Sequence, residues 1–255
     1  MSVDLDIAGG VARVTLNRPD RRNAIDRAAE AALGEIWDRI EAGPDIRCAV
    51  LTGAGGTFCA GADMKEEGVE GLEYWAGADP WGFGGIALGG RLSVPLIARV
   101  NGAALGGGFE MVLGCDLVVA AENAVFGLPE PRVGRVPLDA RVALPRLVPR
   151  AQALGVLLTG RRMTAAEALG CGLINQVVPA DGLDAAVDSW VADILACAPL
   201  SLKAIKRSVY DTAHLGLAEA RNARLPALVA ALQSRDADEG VQAFRDKRPP
   251  VWTGS

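Results

Sequence analysis

Two glutamates near the middle of the chain are the side chains best placed to do acid–base chemistry. Glu110 closely follows three consecutive glycines, Gly106–Gly108, and Glu130 lies twenty residues later in a turn rich in glycine and proline. Consecutive glycines let a backbone approach a ligand closely, because they carry no Cβ atom. A carboxyl group can then give or take a proton beside that backbone. We therefore expect the functional site between Pro95 and Glu130.

The neighbours of Glu110 indicate that it is buried. Phe109 and Met111–Leu113 are all apolar, and a helix that is apolar all round usually lies inside the protein. A buried glutamate needs a partner or a chemical role. The alternative is a first-turn carboxylate that only interacts favourably with the helix dipole.

A dinucleotide-binding site is a second interpretation of the glycines. The segment Gly102–Gly106 follows an apolar strand, and Glu122 comes about twenty residues later, as in that fold. The segment lacks the middle glycine that admits a pyrophosphate, and Glu110 would place a negative charge towards the phosphates. The sequence therefore argues against a dinucleotide.

Composition narrows the class of protein. The chain has 255 residues, half of them apolar, which suffices for one domain or one domain with an appendage. The net charge of −5 and the absence of a basic block argue against nucleic acid as a partner. The chain has neither a basic leader nor a run of about 20 apolar residues, so we expect a cytoplasmic protein that is not membrane-bound.

Cysteine and histidine usage predicts that the protein has no metal centre. The five cysteines are scattered and form no C-x-x-C pair, so neither disulfides nor a structural zinc site is expected. The single histidine, His214, argues against a Ser–His pair or a multi-histidine metal site.

Strands and helices are predicted to alternate up to about residue 178, and helices to follow. A hairpin is expected at Gly9-Gly10, a helix capped by Asp26 and ending near Ala42, and a capping box at Thr164. We further expect a short helix over Gly85–Leu92 and a long one over Leu217–Gln233.

Two loops are candidates for ligand contact. Arg18, Arg21 and Arg22 lie within five residues and form a candidate anion clamp. Residues 66–84 contain Tyr74, Trp75, Trp81 and Phe83, and are expected either to line an apolar pocket as a lid or to pack on the surface.

Four motifs carry a resemblance to a known family. They are Leu16–Ala24 (LNRPDRRNA), Cys59–Asp63 (CAGAD), Val100–Glu110 (VNGAALGGGFE) and Phe126–Glu130 (FGLPE). Their order and spacing resemble the enoyl-CoA hydratase (crotonase) superfamily along nearly the whole chain. The tail Phe244–Trp252, with Gly108–Glu110 and Gly160–Met163, is similar to the carnitinyl-CoA dehydratase branch of that superfamily.

The resemblance implies an α/β fold and a substrate class. It implies a crotonase-like spiral of ββα units over residues 1–197, followed by a helical oligomerisation region, 198–255, that builds homotrimers, commonly paired into hexamers. The implied substrates are acyl-CoA thioesters. Coenzyme A is then part of the substrate, and no further cofactor or metal is expected.

The resemblance also assigns roles to residues. It implies that the N–H groups of Ala62 and Gly107 hold the thioester oxygen, and that Glu110 and Glu130 are catalytic. The implied coenzyme A contacts are Arg22, Ala24, Ala60, Asp63, Met64, Lys65 and Lys247.

One segment departs from the family pattern. Where the pattern has a turn of the form Pro-Gly-x-Gly-Gly, this chain has Pro137-Leu-Asp-Ala-Arg141. Leu138 narrows the turn and Asp139 adds a carboxylate, so both are candidate modulators of the site. Some isomerases, dehalogenases and hydrolases of the superfamily use an aspartate in this region. By register we expect Asp139 to be a helix N-cap instead.

Three functions remain open from the sequence. The first is hydration of 2-enoyl-CoA, or dehydration of 3-hydroxyacyl-CoA, by the two glutamates. The second is double-bond isomerisation of enoyl-CoA or dienoyl-CoA by one glutamate assisted by Asp139. The third is acyl-CoA binding with weak catalysis, suggested by the altered turn.

Overall fold

Strands and helices alternate along the first part of the chain and helices alone follow. The computed structural model describes residues 2–65, 71–77 and 79–255. The strands are β1 (Val3–Ala8), β2 (Val11–Leu16), β3 (Cys48–Gly53), β4 (Thr57–Cys59), β5 (Leu96–Val100), β6 (Ala103–Leu105), β7 (Leu117–Ala121), β8 (Val125–Gly127), β9 (Arg162–Thr164) and β10 (Gln176–Val178). The α-helices are α1 (Arg27–Ala42), α2 (Gly71–Ala76), α3 (Gly107–Leu113), α4 (Ala140–Leu147), α5 (Arg150–Thr159), α6 (Ala165–Gly170), α7 (Leu183–Ala196), α8 (Pro199–Asp211), α9 (Leu217–Asn222), α10 (Pro226–Leu232) and α11 (Arg235–Asp246).

Within the described residues, the five longer strands and the three-residue β10 form a six-stranded sheet in the order β1-β2-β3-β5-β7-β10. The pair β1 and β2 is antiparallel and the other neighbours are parallel. The predicted hairpin is confirmed: Gly9 and Gly10 have φ values of 58° and 79°, as the two central residues of a type I′ turn require.

A second sheet of very short strands lies next to the candidate site. Its order is β4-β6-β8-β9, with only the β8–β9 pair antiparallel among the described residues. The glycine-rich segment after β5 is more than a single turn: it contains β6, and α3 starts at Gly107, ahead of the apolar residues Phe109 and Met111–Leu113. Three-residue strands are too short to show a period-2 pattern, so β6 and the earlier start of α3 at Gly107 could not be read from alternation.

The strand β6 also excludes the dinucleotide layout. In that layout the glycine turn leads directly into a helix, whereas here β6 intervenes. Gly102 packs against protein rather than opening towards a ligand, since a methyl group placed on it would lie 2.1 Å from the carbonyl oxygen of Gly56.

Apolar side chains cover both faces of the large sheet. On one face lie helix α1, with fully buried Trp37, and the aromatic pair Phe109 and Phe126, whose rings are 5.4 Å apart. On the other face α7 packs Leu183 and Val187 against the sheet. Continuous apolar strands are expected where helices cover both faces of a parallel sheet.

Both predicted helix caps are present. The carboxylate of Asp26 accepts a hydrogen bond from Ala29 N–H at 2.8 Å and begins α1. Thr164 and Glu167 form the reciprocal capping box that begins α6.

Two helix predictions are wrong for backbone reasons. The helix expected over Leu217–Gln233 is broken into α9 and α10, because Pro226 disfavours helical geometry at the residue before it. The helix expected over Gly85–Leu92 is replaced by turns, since Gly85, Gly89 and Gly90 all have φ above 70°.

The last helices dock on the sheet through buried polar contacts. Lys206 of α8 forms an ion pair with Asp116 at 2.6 Å and donates to the carbonyl oxygen of Val94 at 2.8 Å. The hydroxyl of Tyr210 donates to the same aspartate at 3.1 Å. Removing one member of such a buried pair leaves an uncompensated charge, so these contacts fix α8 in place.

None of the described helices is by itself long and apolar enough to cross a membrane. One pair, Ala180–Ala196 with Pro199–Asp211, meets the length and composition test only when joined, and it is bent by 104°.

Candidate active site

Glu110 lies in the first turn of α3 and is 5% exposed. Its Oε1 accepts two main-chain hydrogen bonds of 2.9 Å, from the N–H groups of Asp139 and Ala140. Burial raises the pKa of Glu110 to about 7, the nearby charges of Asp139 and Glu130 act in the same direction, and the two N–H donors oppose the rise. The result is a positioned carboxyl group that can exchange a proton near neutral pH.

Glu130 begins a short 3₁₀ turn and has an oxygen without a partner. Its Oε2 is buried and accepts no hydrogen bond from the described residues, and burial raises the pKa of this carboxyl as well. Its Oε1 faces the glycine turn, since a methyl group placed on Gly106 would lie 2.8 Å from it. Glu110 N–H donates to the carbonyl oxygen of the same Gly106 at 3.0 Å, so the two glutamates flank one glycine turn.

Two main-chain N–H groups face the same region. A methyl group placed on Gly61 would lie 3.1 Å from the amide nitrogen of Gly107, so these two backbones are in close contact. Neither Ala62 N–H nor Gly107 N–H has an acceptor among the described residues. Gly107 begins α3, where a helix has no acceptor of its own for the N–H group.

Hydrogen bonds from the neighbouring loop fix the direction of Ala62. Ile25 donates to the carbonyl oxygen of Gly61 and accepts from Asp63 N–H, both at 2.8 Å. Along an extended segment the main-chain hydrogen-bonding groups of successive residues point to opposite sides. Since Gly61 and Asp63 bond to Ile25, the N–H of Ala62 points away from Ile25.

The glycines after the turn are required by packing. A methyl group on Gly107 would lie 2.5 Å from Cε1 of Phe83, and one on Gly108 would lie 2.4 Å from the carbonyl oxygen of Cys59. Any larger residue would push the aromatic ring or the backbone away.

The candidate anion clamp is used partly inside the fold. The Arg18 guanidinium forms ion pairs with Asp26 and Asp63, both at 2.9 Å, and donates to the carbonyl oxygen of Ala24 at 2.5 Å. Arg21 and Arg22 are exposed. Arg18 therefore positions the loop, and the other two arginines keep free access to solvent.

Asn23 was present in the quoted motif but was not assigned a role from the sequence. It is 1% exposed, and its amide donates to the carbonyl oxygens of Ala54 and Thr57 at 2.9 and 2.7 Å. Its φ of 56° is a conformation that asparagine tolerates better than most residues. An asparagine at the end of a turn-rich loop is the signal that could have identified it.

The residues predicted to contact coenzyme A fall into two groups. Ala60 N–H donates to the main-chain carbonyl oxygen of Arg22 at 3.0 Å, so the segments around Arg22–Ala24 and Ala60–Asp63 lie side by side. Met64 and Lys65 are exposed beside them. The Asp63 carboxylate accepts from Lys65 N–H and from Arg18, and both bonds lower its pKa. Lys247 lies at the C-terminal end of α11, and its phosphate contact stays a prediction.

Asp139 occupies the N-cap position of α4, as the sequence predicted, but its side chain makes no capping bond. Its carboxylate instead accepts from Phe83 N–H at 2.7 Å. Burial raises the pKa of Asp139. Leu138 is half-buried beside it.

Phe83 is the described aromatic residue that reaches the site. The predicted lining segment 66–84 is described only in part: residues 66–70 and 78, and the Tyr74 side chain, lie outside the described residues. Trp75 is 54% exposed, whereas Phe83 is 9% exposed and faces Gly107. The glycines flanking Phe83 are the signal in the sequence that could have singled it out.

The raised pKa of Glu110 has a consequence for stability. In the folded protein the Glu110 carboxyl keeps its proton up to about pH 7, whereas in the unfolded chain it loses the proton near pH 4.5. The folded state therefore binds more protons between these values, and the free energy of unfolding falls as the pH rises through them. Glu110→Gln keeps an acceptor for both N–H groups and never ionises. We expect the variant to be more stable than the wild type at pH 8, by up to about 3 kcal/mol, and to lose that advantage at pH 4.5.

Urea unfolding of both proteins at the two pH values measures this difference. Glu122→Gln, at an exposed position, controls for replacing a carboxyl by an amide. An equal stability difference at pH 4.5 and pH 8 would contradict the buried-proton interpretation.

Comparison with known proteins identifies the family. The enoyl-CoA hydratase/isomerase family profile matches residues 6–255. A carnitinyl-CoA dehydratase of Salmonella typhi is 40% identical over 259 aligned positions, covering 99% of this chain and 98% of the relative. One of Citrobacter koseri is 40% identical over 252 positions, covering 96% of each.

Solved structures agree with the sequence comparison. The enoyl-CoA hydratase from Bacillus anthracis superposes with a TM-score of 0.92 at 31% identity over 100% of both chains. The enoyl-CoA hydratase EchA1 from Mycobacterium marinum gives 0.89 at 33% identity, covering 100% of this chain and 99% of that one. The fold class expected from the sequence is confirmed, and the chain belongs to the enoyl-CoA hydratase/isomerase family.

Proposed function

We propose that this protein is a hydro-lyase that adds water to 2-enoyl-CoA thioesters and eliminates it from 3-hydroxyacyl-CoA thioesters. One observation carries the proposal: the buried carboxyl of Glu110 and the half-buried carboxyl of Glu130 flank a glycine turn, beside two N–H groups that have no acceptor among the described residues. Family membership supports it. The relatives are named for hydration or dehydration of coenzyme A thioesters. No step of the proposed reaction needs a cofactor beyond the coenzyme A of the substrate.

The N–H groups of Ala62 and Gly107 are proposed to bind the thioester oxygen. Drawing negative charge onto that oxygen makes the β-carbon of an enoyl group electrophilic and stabilises the enolate that follows attack. Removing one preorganised donor of this kind costs roughly 3–4 kcal/mol in well-studied enzymes. The absence of side chains at Gly106 and Gly107 supports this role, because a thioester must come within hydrogen-bond distance of the backbone.

Glu110 and Glu130 are proposed to share one proton near neutral pH. Oε1 of Glu110 is occupied by two N–H groups, which leaves Oε2 to bind water. In hydration, one ionised carboxyl takes a proton from the water as its oxygen bonds to the β-carbon. The other, protonated, carboxyl gives a proton to the α-carbon, and elimination reverses both transfers. Since the two groups interact, their pKa values belong to the pair.

Coenzyme A is proposed to lie along the two adjacent segments near Arg22 and Lys65. Exposed Arg21 and Arg22 supply positive charge for its phosphates, and Lys247 is proposed to add a further contact. A homotrimer or hexamer is supported by exposed apolar side chains in the C-terminal helices, including Leu217, Leu232 and Phe244.

The acyl group is proposed to carry oxygen at the β-carbon in the hydrated form. The dehydratase relatives are named for carnitinyl-CoA, so that thioester belongs in the substrate panel beside 3-hydroxybutyryl-CoA and crotonyl-CoA. The isomerase alternative would need the Asp139 oxygen that does not accept from Phe83, and activity assays have to separate the two reactions.

Replacing either glutamate should abolish most of the hydration activity. We expect Glu110→Gln and Glu130→Gln each to lower kcat for crotonyl-CoA by about 10²-fold or more, because general acid–base catalysis contributes that much. Loss of absorbance of the conjugated thioester measures hydration, and Glu122→Gln is the control.

Wild-type rates in both variants would refute the acid–base assignment. Incubation of the wild type with a 3-enoyl-CoA in deuterated water distinguishes double-bond isomerisation from hydration. Deuterated 2-enoyl product without water addition would favour isomerisation.

Gly107→Ala should reduce kcat while the protein remains folded. The added methyl group meets the Phe83 ring at 2.5 Å, so the ring or the Gly107 N–H must shift. We expect a loss of about tenfold or more, in line with displacement of one oxyanion donor. Gly155→Ala in α5 is the matched control, because a methyl group there meets nothing within 4 Å. Equal kcat in the two variants would count against a role for the Gly107 backbone.

A further inference from the structure

Asp139 contacts two different parts of the candidate site. Its Oδ2 accepts the Phe83 N–H at 2.7 Å, and a methyl group on Gly82 would lie 2.6 Å from the same oxygen. Its own N–H donates to Glu110 at 2.9 Å. One residue therefore holds Glu110 with its main chain and the Gly82–Phe83 backbone with its side chain.

The segment that carries Phe83 depends on such contacts. Gly82, Gly84 and Gly85 have φ values of 75°, 60° and 72°. Glycines lose more conformational freedom on folding than other residues, so this stretch needs fixed partners to stay in one conformation. Besides the Asp139 contact, the described anchors are Trp37, which donates to Gly84 at 2.8 Å, and Arg91, which donates to Gly85 at 3.2 Å.

The Phe83 ring lies against the backbone that carries the proposed oxyanion donor. The Cβ position of Gly107 would be 2.5–2.6 Å from three atoms of the ring, and Phe83 is 9% exposed. The ring therefore fixes how much room exists beside the Gly107 N–H, and it keeps water from that side. Hydrogen bonds to a developing charge are stronger where water is excluded.

We propose that Asp139 is a positioning residue that holds Phe83 against Gly107 and Glu110 in place, without itself transferring a proton. The inference rests on the proposed hydro-lyase function. Asp139 acts as a hydrogen-bond acceptor for the Phe83 N–H, so an uncharged acceptor of the same shape fulfils the role. The charged and titratable groups that interact with it are Glu110, on whose pKa the Asp139 charge acts, and Arg141, whose charge acts on Asp139.

A pair of substitutions separates positioning from proton transfer. Asp139→Asn keeps an oxygen acceptor and removes the acid, whereas Asp139→Ala removes both. We expect Asp139→Asn to keep kcat for crotonyl-CoA within about threefold of wild type, and Asp139→Ala to lower it about 10- to 100-fold, the range for losing one buried hydrogen bond at a catalytic site. Asp45→Ala, at an exposed position, is the control.

The pH dependence of kcat is a second readout, and a purely structural role of Asp139 would leave it unchanged. The Asp139 charge helps to raise the pKa of Glu110, so Asp139→Asn should shift the basic limb of the rate profile to lower pH without removing it. A lost limb, or an Asn variant as slow as the Ala variant, would show that the carboxyl itself transfers protons. Wild-type kcat in Asp139→Ala would overturn the proposal.

Two measurements keep the test independent of folding and of the proposed function. Phe83→Leu should reproduce the loss seen in Asp139→Ala, and the double variant should be no slower than the slower single variant, since both act through one contact. Amide hydrogen exchange at Phe83 should be faster in Asp139→Ala than in Asp139→Asn, even if no substrate is turned over. Equal exchange in the two variants would overturn the contact, whereas an inactive wild type with unequal exchange would overturn only the hydro-lyase function.

Discussion

The site depends on the close approach of two backbones that carry almost no side chains. Gly61–Ala62 and Gly106–Gly107 come together because β4 and β6 pair in parallel and end side by side. A methyl group on Gly61 would already crowd the Gly107 nitrogen at 3.1 Å. The second sheet, α3 and the loop held by Arg18 and Asn23 all maintain this approach. The two N–H groups remain available because each lies where its own ladder or helix has no acceptor for it.

Burial of two carboxyls beside these N–H groups is the energetic cost of the arrangement. A buried carboxylate without full hydrogen bonding is unfavourable, which is why the pKa of Glu110 rises to about 7 and that of Glu130 rises as well. The fold compensates Glu110 with two N–H donors and leaves Glu130 Oε2 without a described partner. Such partial compensation disfavours two ionised groups and favours a shared proton, which is the state that acid–base catalysis needs.

Much of the site could be predicted from the sequence, because glycine spacing and isolated carboxylates in apolar surroundings are local features. Glu110, Glu130 and the glycines Gly106–Gly108 were singled out in this way, and the resemblance added the roles of Ala62 and Gly107. The rest depends on contacts between distant segments. The three-residue strands have no period to detect, Arg18 could not be distinguished from Arg21 and Arg22, and the Asp139 side chain bonds to Phe83, 56 residues away, rather than to its own helix. Local capping rules cannot predict that the Asp139 carboxylate accepts from a distant N–H group instead of capping its own helix.

The central claim is that two main-chain N–H groups polarise a thioester carbonyl. The most direct measurement is the infrared difference spectrum of crotonyl-CoA, carrying ¹³C at the thioester carbonyl, bound to the Glu110→Gln variant so that turnover is suppressed. Hydrogen bonds from the N–H groups of Ala62 and Gly107 would weaken the carbonyl bond. The carbonyl stretching band is therefore expected to move to lower wavenumber on binding. A bound thioester whose carbonyl band stays at its solution position would contradict polarisation by these two N–H groups.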